Sequence, residues 1–172
     1  MSIILLFIVV TLFATCKKKD PPIGTNATTQ LPPITTTGEN TFGCLVNGEV
    51  WLPKGKGIFA GLNSDYFSLG VTIQAKHFHT SGGSDYIAIG IYKDYLDATL
   101  PIELNMVESQ GVISKYSCSN QNLITDTIIG GKLNLIRSDT INEIFSGTFE
   151  FTVVDSQCDT IKITNGRFDI KD

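Results

Sequence analysis

Apolar and polar residues alternate along most of the chain from residue 42 onward. Between Phe67 and Ile73, every second residue is apolar and the residues between are small or polar. A period of two places neighbouring side chains on opposite faces of a β-strand, and no segment sustains a helical period. The same period of two occurs at Ile87, Ile89 and Ile91, and again at Phe149, Phe151 and Val153.

Glycine-containing pairs mark the predicted turns between these strands. Asn47-Gly48 lies between two short apolar runs and predicts a type I′ turn, because both central residues of that turn need a positive φ. Further strands are predicted near residues 123–129, 131–137 and 141–154, with Gly130-Gly131 as a turn between the first two.

A second Asn-Gly pair, Asn165-Gly166, predicts another hairpin. The alternative is one continuous strand with a glycine bulge. A hairpin would pair Ile163 with Phe168 and Ile161 with Ile170, with all four side chains on one face.

About eight short strands joined by Gly and Asn turns are typical of an antiparallel β-sandwich or a partly closed barrel. We expect residues 42–172 to form this single all-β domain. Its roughly 130 residues are enough to bury a core without a metal or a disulfide.

Near its start the chain has an apolar run at residues 3–14, which ends in Ala14 and is followed by Thr15 and Cys16. A run of this length is too short to span a bilayer, which takes about 20 residues, and matches the apolar region of a signal peptide. Small residues before a Cys resemble the lipobox of bacterial lipoproteins. In that family the Cys thiol receives diacylglycerol and the signal is cut before it.

The resemblance implies a signal peptide at residues 1–15 and lipidation at Cys16, with palmitate among the acyl chains. The alternative is a short membrane anchor that holds Lys17–Lys19 at the cytoplasmic face. Residues 16–41 contain repeated Pro and Thr, which predicts a flexible tether between the anchor and the domain.

Charge argues against a nucleic-acid partner. The whole chain has a net charge of −4, and residues 40–172 contain 10 Lys and Arg against 15 Asp and Glu, a net charge of −5. An acidic surface repels a polyanion. No cofactor fingerprint occurs in the sequence, and none is expected.

Three segments resemble a domain that recurs in lipoproteins of Bacteroidota. They are CKKKDPP after the apolar run, TFGCLVNGEVWLPKG, and SGTFEFTVVDSQCDTIKITNGRFDIKD. That family has no assigned activity, so the resemblance implies an envelope location and a β fold, and it assigns no functional residues.

His77 and His79 are the weak candidates for a metal site, because residues at i and i+2 of a strand face the same side. Zinc needs a third ligand, and the nearest carboxylates are Asp65 and Asp85. The alternative is a solvated strand face, and no metal is expected.

Enzyme activity is not expected either. Acidic pairs could serve glycoside hydrolysis, but no feature of the sequence singles one out, and neither histidine lies beside a recognisable nucleophile. The pairs weighed are Asp94 with Asp97 and Glu103 with Glu108.

Trp51, Tyr86 and Tyr92 are the candidate ligand-binding residues, since an exposed ring offers an apolar surface to a sugar. The alternation places Tyr86 and Tyr92 on the face opposite the three isoleucines of the same strand. The alternative is that these tyrosines are ordinary surface residues or belong to a second core.

Three cysteines remain after Cys16. In an oxidising compartment one pair can form a disulfide, and the sequence does not select among the three pairings. The cysteines are Cys44, Cys118 and Cys158.

These observations predict a non-enzymatic lipoprotein of the outer membrane, held by its lipid anchor, with a binding or envelope-structural role. Glycans or other envelope proteins are the expected partners. The alternative is a carbohydrate-binding module of a glycan-uptake system. A pocket gathering two or more of Asp65, Asp85, His77 and His79 would instead favour an enzyme.

Overall fold

The computed structural model describes residues 27–99, 101–104, 112–117, 127–155 and 159–172. These residues form ten strands and two short 3-10 turns. The strands are β1 (Thr41–Val46), β2 (Glu49–Trp51), β3 (Leu62–Phe67), β4 (Gly70–Phe78), β5 (Ser84–Tyr92), β6 (Ile102–Glu103), β7 (Val112–Ser117), β8 (Thr127–Asp139), β9 (Ile144–Asp155) and β10 (Asp159–Lys171). The 3-10 turns are Ala27–Gln30 and Lys93–Tyr95.

The strands form two antiparallel sheets. The six-stranded sheet has the order β2-β1-β10-β9-β8-β6, and the four-stranded sheet has the order β3-β4-β5-β7. Neither sheet closes into a barrel. The predicted all-β sandwich is confirmed, with ten described strands where about eight were expected, and the barrel alternative is wrong.

The core lies between the two sheets and takes alternate residues from each. Five phenylalanines of the six-stranded sheet face four isoleucines of the four-stranded sheet, so the interior is filled by interlocking large apolar groups. These residues are Phe42, Phe145, Phe149, Phe151 and Phe168 on one side and Ile73, Ile87, Ile89 and Ile91 on the other.

The alternation from Phe67 to Ile73 spans a turn and is not a single strand. β3 ends at Phe67, which pairs with Gly70 at the start of β4. Phe67 and Leu69 are exposed, whereas Val71 and Ile73 are buried. The period of two continues through a tight turn even though the chain reverses direction there.

The turn predicted at Asn47-Gly48 is confirmed. It joins β1 to β2, with Val46 opposite Glu49. Asn47 and Gly48 have φ values of 50° and 86°, the two positive angles that a type I′ turn requires.

The hairpin predicted at Asn165-Gly166 is wrong, and the bulge alternative is correct. β10 runs through this point, and its pairing with β9 shifts register between Ile163 and Gly166. A regular strand would place residues 163 and 168 on opposite faces, but the extra bulge residue returns them to the same face. Both Ile163 and Phe168 are therefore buried.

The turn predicted at Gly130-Gly131 is also wrong. β8 is continuous from Thr127 to Asp139, and its pairing with β9 shifts register between Ile128 and Gly130. The bulge again brings two apolar residues an odd number of positions apart, Ile128 and Leu133, to the buried face. Residues 123–126 of the predicted strand 123–129 lie outside the described residues.

The flexible tether predicted at residues 16–41 extends too far toward the domain, because its last residues pack on the sandwich. Residues 31–40, called the N-terminal strap below, lie against the outer face of the six-stranded sheet. Leu31 is buried, and the backbone N–H groups of Thr37, Gly38 and Glu39 donate to the side-chain carboxylate of Asp169 in β10. The domain therefore includes the strap and does not begin at residue 42. Residues 16–26 lie outside the described residues.

Candidate functional site

The two histidines continue the core-facing row of β4 past the end of the core. Ile73 and Ala75 are fully buried on this row, and His77 and His79 follow at the same period of two. Asp85 lies opposite His77 on the neighbouring strand β5. Three polar side chains thus occupy the open end of the sandwich.

Each histidine has a protein partner. His77 Nδ1 lies 2.7 Å from the carbonyl oxygen of Leu52, and because a carbonyl only accepts, this nitrogen is the protonated donor. His79 Nε2 lies 3.0 Å from Asp85 Oδ1. The two imidazole rings are neighbours, with centroids 5.2 Å apart.

The open end of the sandwich does not form a recognisable metal site. Among the described residues, no group of three or more His, Cys, Asp or Glu side chains is arranged to hold a metal ion. Asp65 belongs to the opposite face of the four-stranded sheet, because its β4 partner, Thr72, alternates with the buried Val71 and Ile73. The ring of His77 packs near Trp51, 6.1 Å between centroids, so it closes the end of the core.

Trp51 is 6% exposed and belongs to the core. It pairs with Cys44 across β1 and β2 and forms an edge contact with Phe42. The prediction that Trp51 offers an exposed ring to a ligand is therefore wrong. The residue lies on the inward-facing side of a short edge strand, which its sequence context did not indicate.

Tyr86 and Tyr92 lie on the outer face of the four-stranded sheet. They alternate with the buried isoleucines of β5, and Tyr92 is 42% exposed. Six positions of extended strand separate them by about 20 Å. Between them on the same face lie only Ala88 and Gly90, so the strip between the two rings is shallow.

Polar side chains border this strip on β4. Thr72 lies opposite Gly90, and Gln74 lies opposite Ala88. The ammonium of Lys76 lies 5.6 Å from the ring centroid of Tyr86, a cation–π distance. Burial raises the pKa of Tyr86, so its hydroxyl stays a neutral donor. The face combines two apolar rings with amide and hydroxyl groups.

A buried carboxylate, that of Asp169, holds the strap, and the sequence did not point to it. Asp169 lies on the outer face of the six-stranded sheet, between the inward-facing Phe168 and Ile170, yet it is 1% exposed because the strap covers it. It accepts hydrogen bonds from the backbone N–H groups of Thr37 at 3.0 Å, Gly38 at 2.9 Å and Glu39 at 3.2 Å.

These donors keep Asp169 ionised. Burial alone would raise its pKa, but the neighbouring Thr35 hydroxyl and the N–H groups of Gly38, Glu39 and Thr37 outweigh burial and hold the pKa below its ordinary value. The hydroxyl oxygen of Thr35 is buried and makes no hydrogen bond of good geometry. The three backbone N–H groups are therefore the well-defined donors to Asp169.

An arginine on the next strand but one holds the middle of the strap. Arg137 donates to the carbonyl of Thr36 at 2.7 Å and to Asp139 at 2.6 Å. Its guanidinium, together with Asn142, holds the pKa of Asp139 well below its usual range. The strap is thus fixed by the buried carboxylate of Asp169 and by two arginines, since Arg167 also donates to the carbonyl of Pro32 at 3.3 Å.

A shallow cavity of about 460 Å³ lies where the strap enters the domain. Leu31 and Pro32 of the strap, Phe42 of β1, and Leu52 and Leu62 line most of it. The cavity lining is mainly apolar, and none of the lining residues has a titratable side chain.

The remaining candidates are dispersed. Cys44 is fully buried and has no disulfide partner among the described residues, and burial raises the pKa of its thiol to about 12. Asp94, Asp97 and Glu103 are exposed. The other predicted positions, Cys16, Glu108, Cys118 and Cys158, lie outside the described residues.

No protein-family model, no curated protein and no solved structure matches the chain. Within the described part of the chain, no helix has the length and apolar character needed to cross a membrane.

Proposed function

We propose that this chain is a lipoprotein of the bacterial outer membrane, lipidated at Cys16, whose β-sandwich has a non-enzymatic binding or envelope-structural role. The observation that carries the proposal is the apolar run at residues 3–14 ending at Ala14-Thr15-Cys16. A run of that length suits a signal peptide better than a membrane span.

Lipidation would make the attachment effectively permanent. Each buried CH₂ group contributes about 0.8 kcal/mol, so one acyl chain binds weakly and several bind firmly. The lysines at residues 17–19 would add attraction of about 1 kcal/mol each at an anionic surface.

The strap gives this anchor a firm attachment to the domain. The chain that leads from the anchor crosses the outer face of the six-stranded sheet and is bonded there to Asp169 and Arg137. A force applied to the anchor would therefore be transmitted to β10 and β8 through hydrogen bonds to charged groups, which are stronger than neutral hydrogen bonds. This arrangement suits a domain that works while tethered.

Both histidines at the open end of the sandwich have protein partners, as side chains with a structural role do. His77 is bonded to a backbone carbonyl, and His79 is paired with Asp85.

Labelling with palmitate tests the proposal directly. The full chain, expressed in a bacterium with a lipoprotein-processing system, should incorporate palmitate and fractionate with the outer membrane. The Cys16→Ala variant should lose the label and leave the membrane fraction. Absence of label in the parent chain, with unchanged fractionation of the variant, would contradict lipidation.

Carbohydrate binding is the second candidate, and the strip between Tyr86 and Tyr92 favours it. Small residues at positions 88 and 90 leave room for a sugar ring beside each tyrosine, and Thr72 and Gln74 can hydrogen-bond its hydroxyls. A glycan array probed with the full chain and with Tyr92→Ala tests it. Glycan binding should be lost in the Tyr92→Ala variant. Absence of binding by the parent chain to every glycan on the array would exclude this candidate.

A further inference from the structure

We infer that a hairpin at residues 54–59 docks onto the anionic lipid surface to which Cys16 is attached. This inference rests on the proposed lipid anchor. The hairpin, called the 54–59 hairpin below, projects from the loop between β2 and β3 and ends in two exposed apolar side chains. Ile58 is 95% exposed and Phe59 is 64% exposed.

The 54–59 hairpin is held in a defined conformation by backbone hydrogen bonds. Lys56 and Phe59 exchange two backbone hydrogen bonds at 3.0 and 3.1 Å, and Gly57 between them has a φ of 61°. A Cβ at Gly55 would lie 2.6 Å from the carbonyl oxygen of Phe59. The backbone is therefore closely packed at the base of the turn, which presents Ile58 in a fixed position.

The base of the hairpin is fixed to the sandwich. Lys54 pairs with β4, donating its N–H to the carbonyl of Lys76 at 2.8 Å and accepting from Phe78 at 3.0 Å. The rings of Phe59 and Phe78 lie 6.2 Å apart. Exposing Ile58 at the tip of a rigid hairpin costs free energy in water, which an apolar partner would recover.

The charge of the hairpin matches an anionic surface. Lys54 and Lys56 are both exposed, and neither forms an ion pair with a described residue. No Asp or Glu occurs between Glu49 and Asp65, although residues 40–172 as a whole have a net charge of −5. This is a local basic site on an acidic domain.

The position of the hairpin fits the position of the anchor. Gly55 and Gly61 line the same cavity as Gln30 and Leu31, where the chain arriving from the anchor enters the domain. Residues 17–26 separate Cys16 from Ala27. A chain of that length spans about 18 Å as a flexible coil and roughly 40 Å at full extension, so the hairpin lies within reach of the leaflet that holds the acyl chains.

A lipid surface is the occupant that these features favour. Apolar side chains flanked by lysines are typical of segments that lie in the interface of an anionic membrane, where burial of apolar area and attraction to headgroups act together. Docking would orient the sandwich, because the anchor fixes one point and the hairpin a second.

Vesicle binding by the full chain with the Cys16→Ala substitution tests the hairpin without the acyl anchor. On vesicles of phosphatidylglycerol and phosphatidylethanolamine, Lys54→Gln with Lys56→Gln should lower the partition coefficient about 30-fold, and Ile58→Glu should lower it about tenfold or more. Any contribution of residues 1–15 is common to all variants and cancels.

Matched controls come from other loops. Ile141 is 91% exposed in the turn between β8 and β9, so Ile141→Glu should leave the partition coefficient unchanged. Lys93→Gln with Lys162→Gln removes the same charge from two other exposed positions and should have a smaller effect than the hairpin pair. Urea denaturation of each variant checks that the fold is retained.

A depth measurement adds an independent result. Tryptophan fluorescence of Phe59→Trp should be quenched by brominated lipid, whereas that of Ile141→Trp should not. Partition by Ile58→Glu equal to that of Ile141→Glu, or an unquenched Phe59→Trp, would overturn the inference. Failure of palmitate labelling would overturn the lipid anchor alone, since these vesicle experiments do not use it.

Discussion

The carboxylate of Asp169 accepts a hydrogen bond from the backbone N–H of Gly38 at 2.9 Å, although the two residues are 131 positions apart in the chain. Gly38 has a φ of 81°, which turns its N–H toward the sheet, and a Cβ there would lie 2.8 Å from the Lys171 side chain. A glycine and a buried aspartate thus hold the strap on the sandwich.

Asp169→Asn should detach the strap and destabilise the domain by about 3 kcal/mol. The amide keeps one acceptor oxygen but turns an NH₂ group toward N–H donors, so at least one hydrogen bond to a charged group is lost. Urea denaturation measures the free energy of unfolding, and hydrogen exchange at Thr37, Gly38 and Glu39 measures detachment.

Asp97→Asn is the matched control, because Asp97 is exposed and the substitution removes the same charge. It should change the free energy of unfolding by less than about 0.5 kcal/mol. Equal stability of the two variants, with unchanged exchange in the strap, would show that Asp169 does not hold it.

The lowered pKa of Asp169 also predicts acid sensitivity. In the unfolded chain an aspartate titrates near pH 3.9, and in the folded state it titrates lower. Its contribution to stability is therefore fully present above the unfolded value and is lost as the pH falls below about 4 toward the folded value. Asp169→Asn should show a flatter decline in unfolding free energy over this pH range than the parent chain.

Gly166→Ala should destabilise the domain by about 1–3 kcal/mol. A Cβ at position 166 would lie 2.5 Å from ring atoms of Phe149, and overpacking a filled core has a cost of that size. Gly48→Ala is the control, because Gly48 needs its positive φ but has open space around it, and about 1 kcal/mol is expected. If urea denaturation shows Gly166→Ala to be no less stable than Gly48→Ala, the close packing of Phe149 against Gly166 does not determine the loss of stability.

The sequence predicted the β-sandwich correctly but not where its strands bend. Two identical Asn-Gly pairs have different roles. At Asn47-Gly48 both residues have positive φ and the chain reverses. At Asn165-Gly166 only Asn165 has a positive φ, and the glycine is needed because Phe149 leaves no room for a side chain. A hairpin and a bulge give the same buried pattern, so local periodicity cannot separate them.

The strap could not be predicted for a similar reason. Residues 31–40 have the composition of a linker, and their order comes from a buried carboxylate more than a hundred positions away. Among the candidate site residues, the outward position of Tyr86 and Tyr92 followed from alternation alone. The burial of Trp51 depended on the partner sheet, which no local pattern specifies.

Cys44 should be unreactive in the folded protein. Burial raises its pKa to about 12, so the nucleophilic thiolate is scarce at neutral pH and the reagent has no access. Maleimide labelling followed by peptide mapping should leave Cys44 unmodified in buffer and modify it in urea without a reductant. Modification that requires a reductant would instead place Cys44 in a disulfide.

His77→Ala should loosen the loop that leads to the 54–59 hairpin. The substitution removes the hydrogen bond to the carbonyl of Leu52 at 2.7 Å and the ring packed near Trp51, with an expected loss of about 1–2 kcal/mol in unfolding free energy. His79→Ala, at a side chain that is 41% exposed, should lose less than about 1 kcal/mol. Equal losses in urea denaturation would contradict a supporting role for His77.

The place of β10 in the six-stranded sheet has a consequence for biosynthesis. β10 follows the other nine described strands in the chain, yet it lies between β1 and β9. A ribosome must therefore finish residues 159–171 before β1 gains its main neighbour, and closing so long a loop makes folding slow. Shortened chains that stop before residue 159 would leave two unpaired strand edges, which invite aggregation.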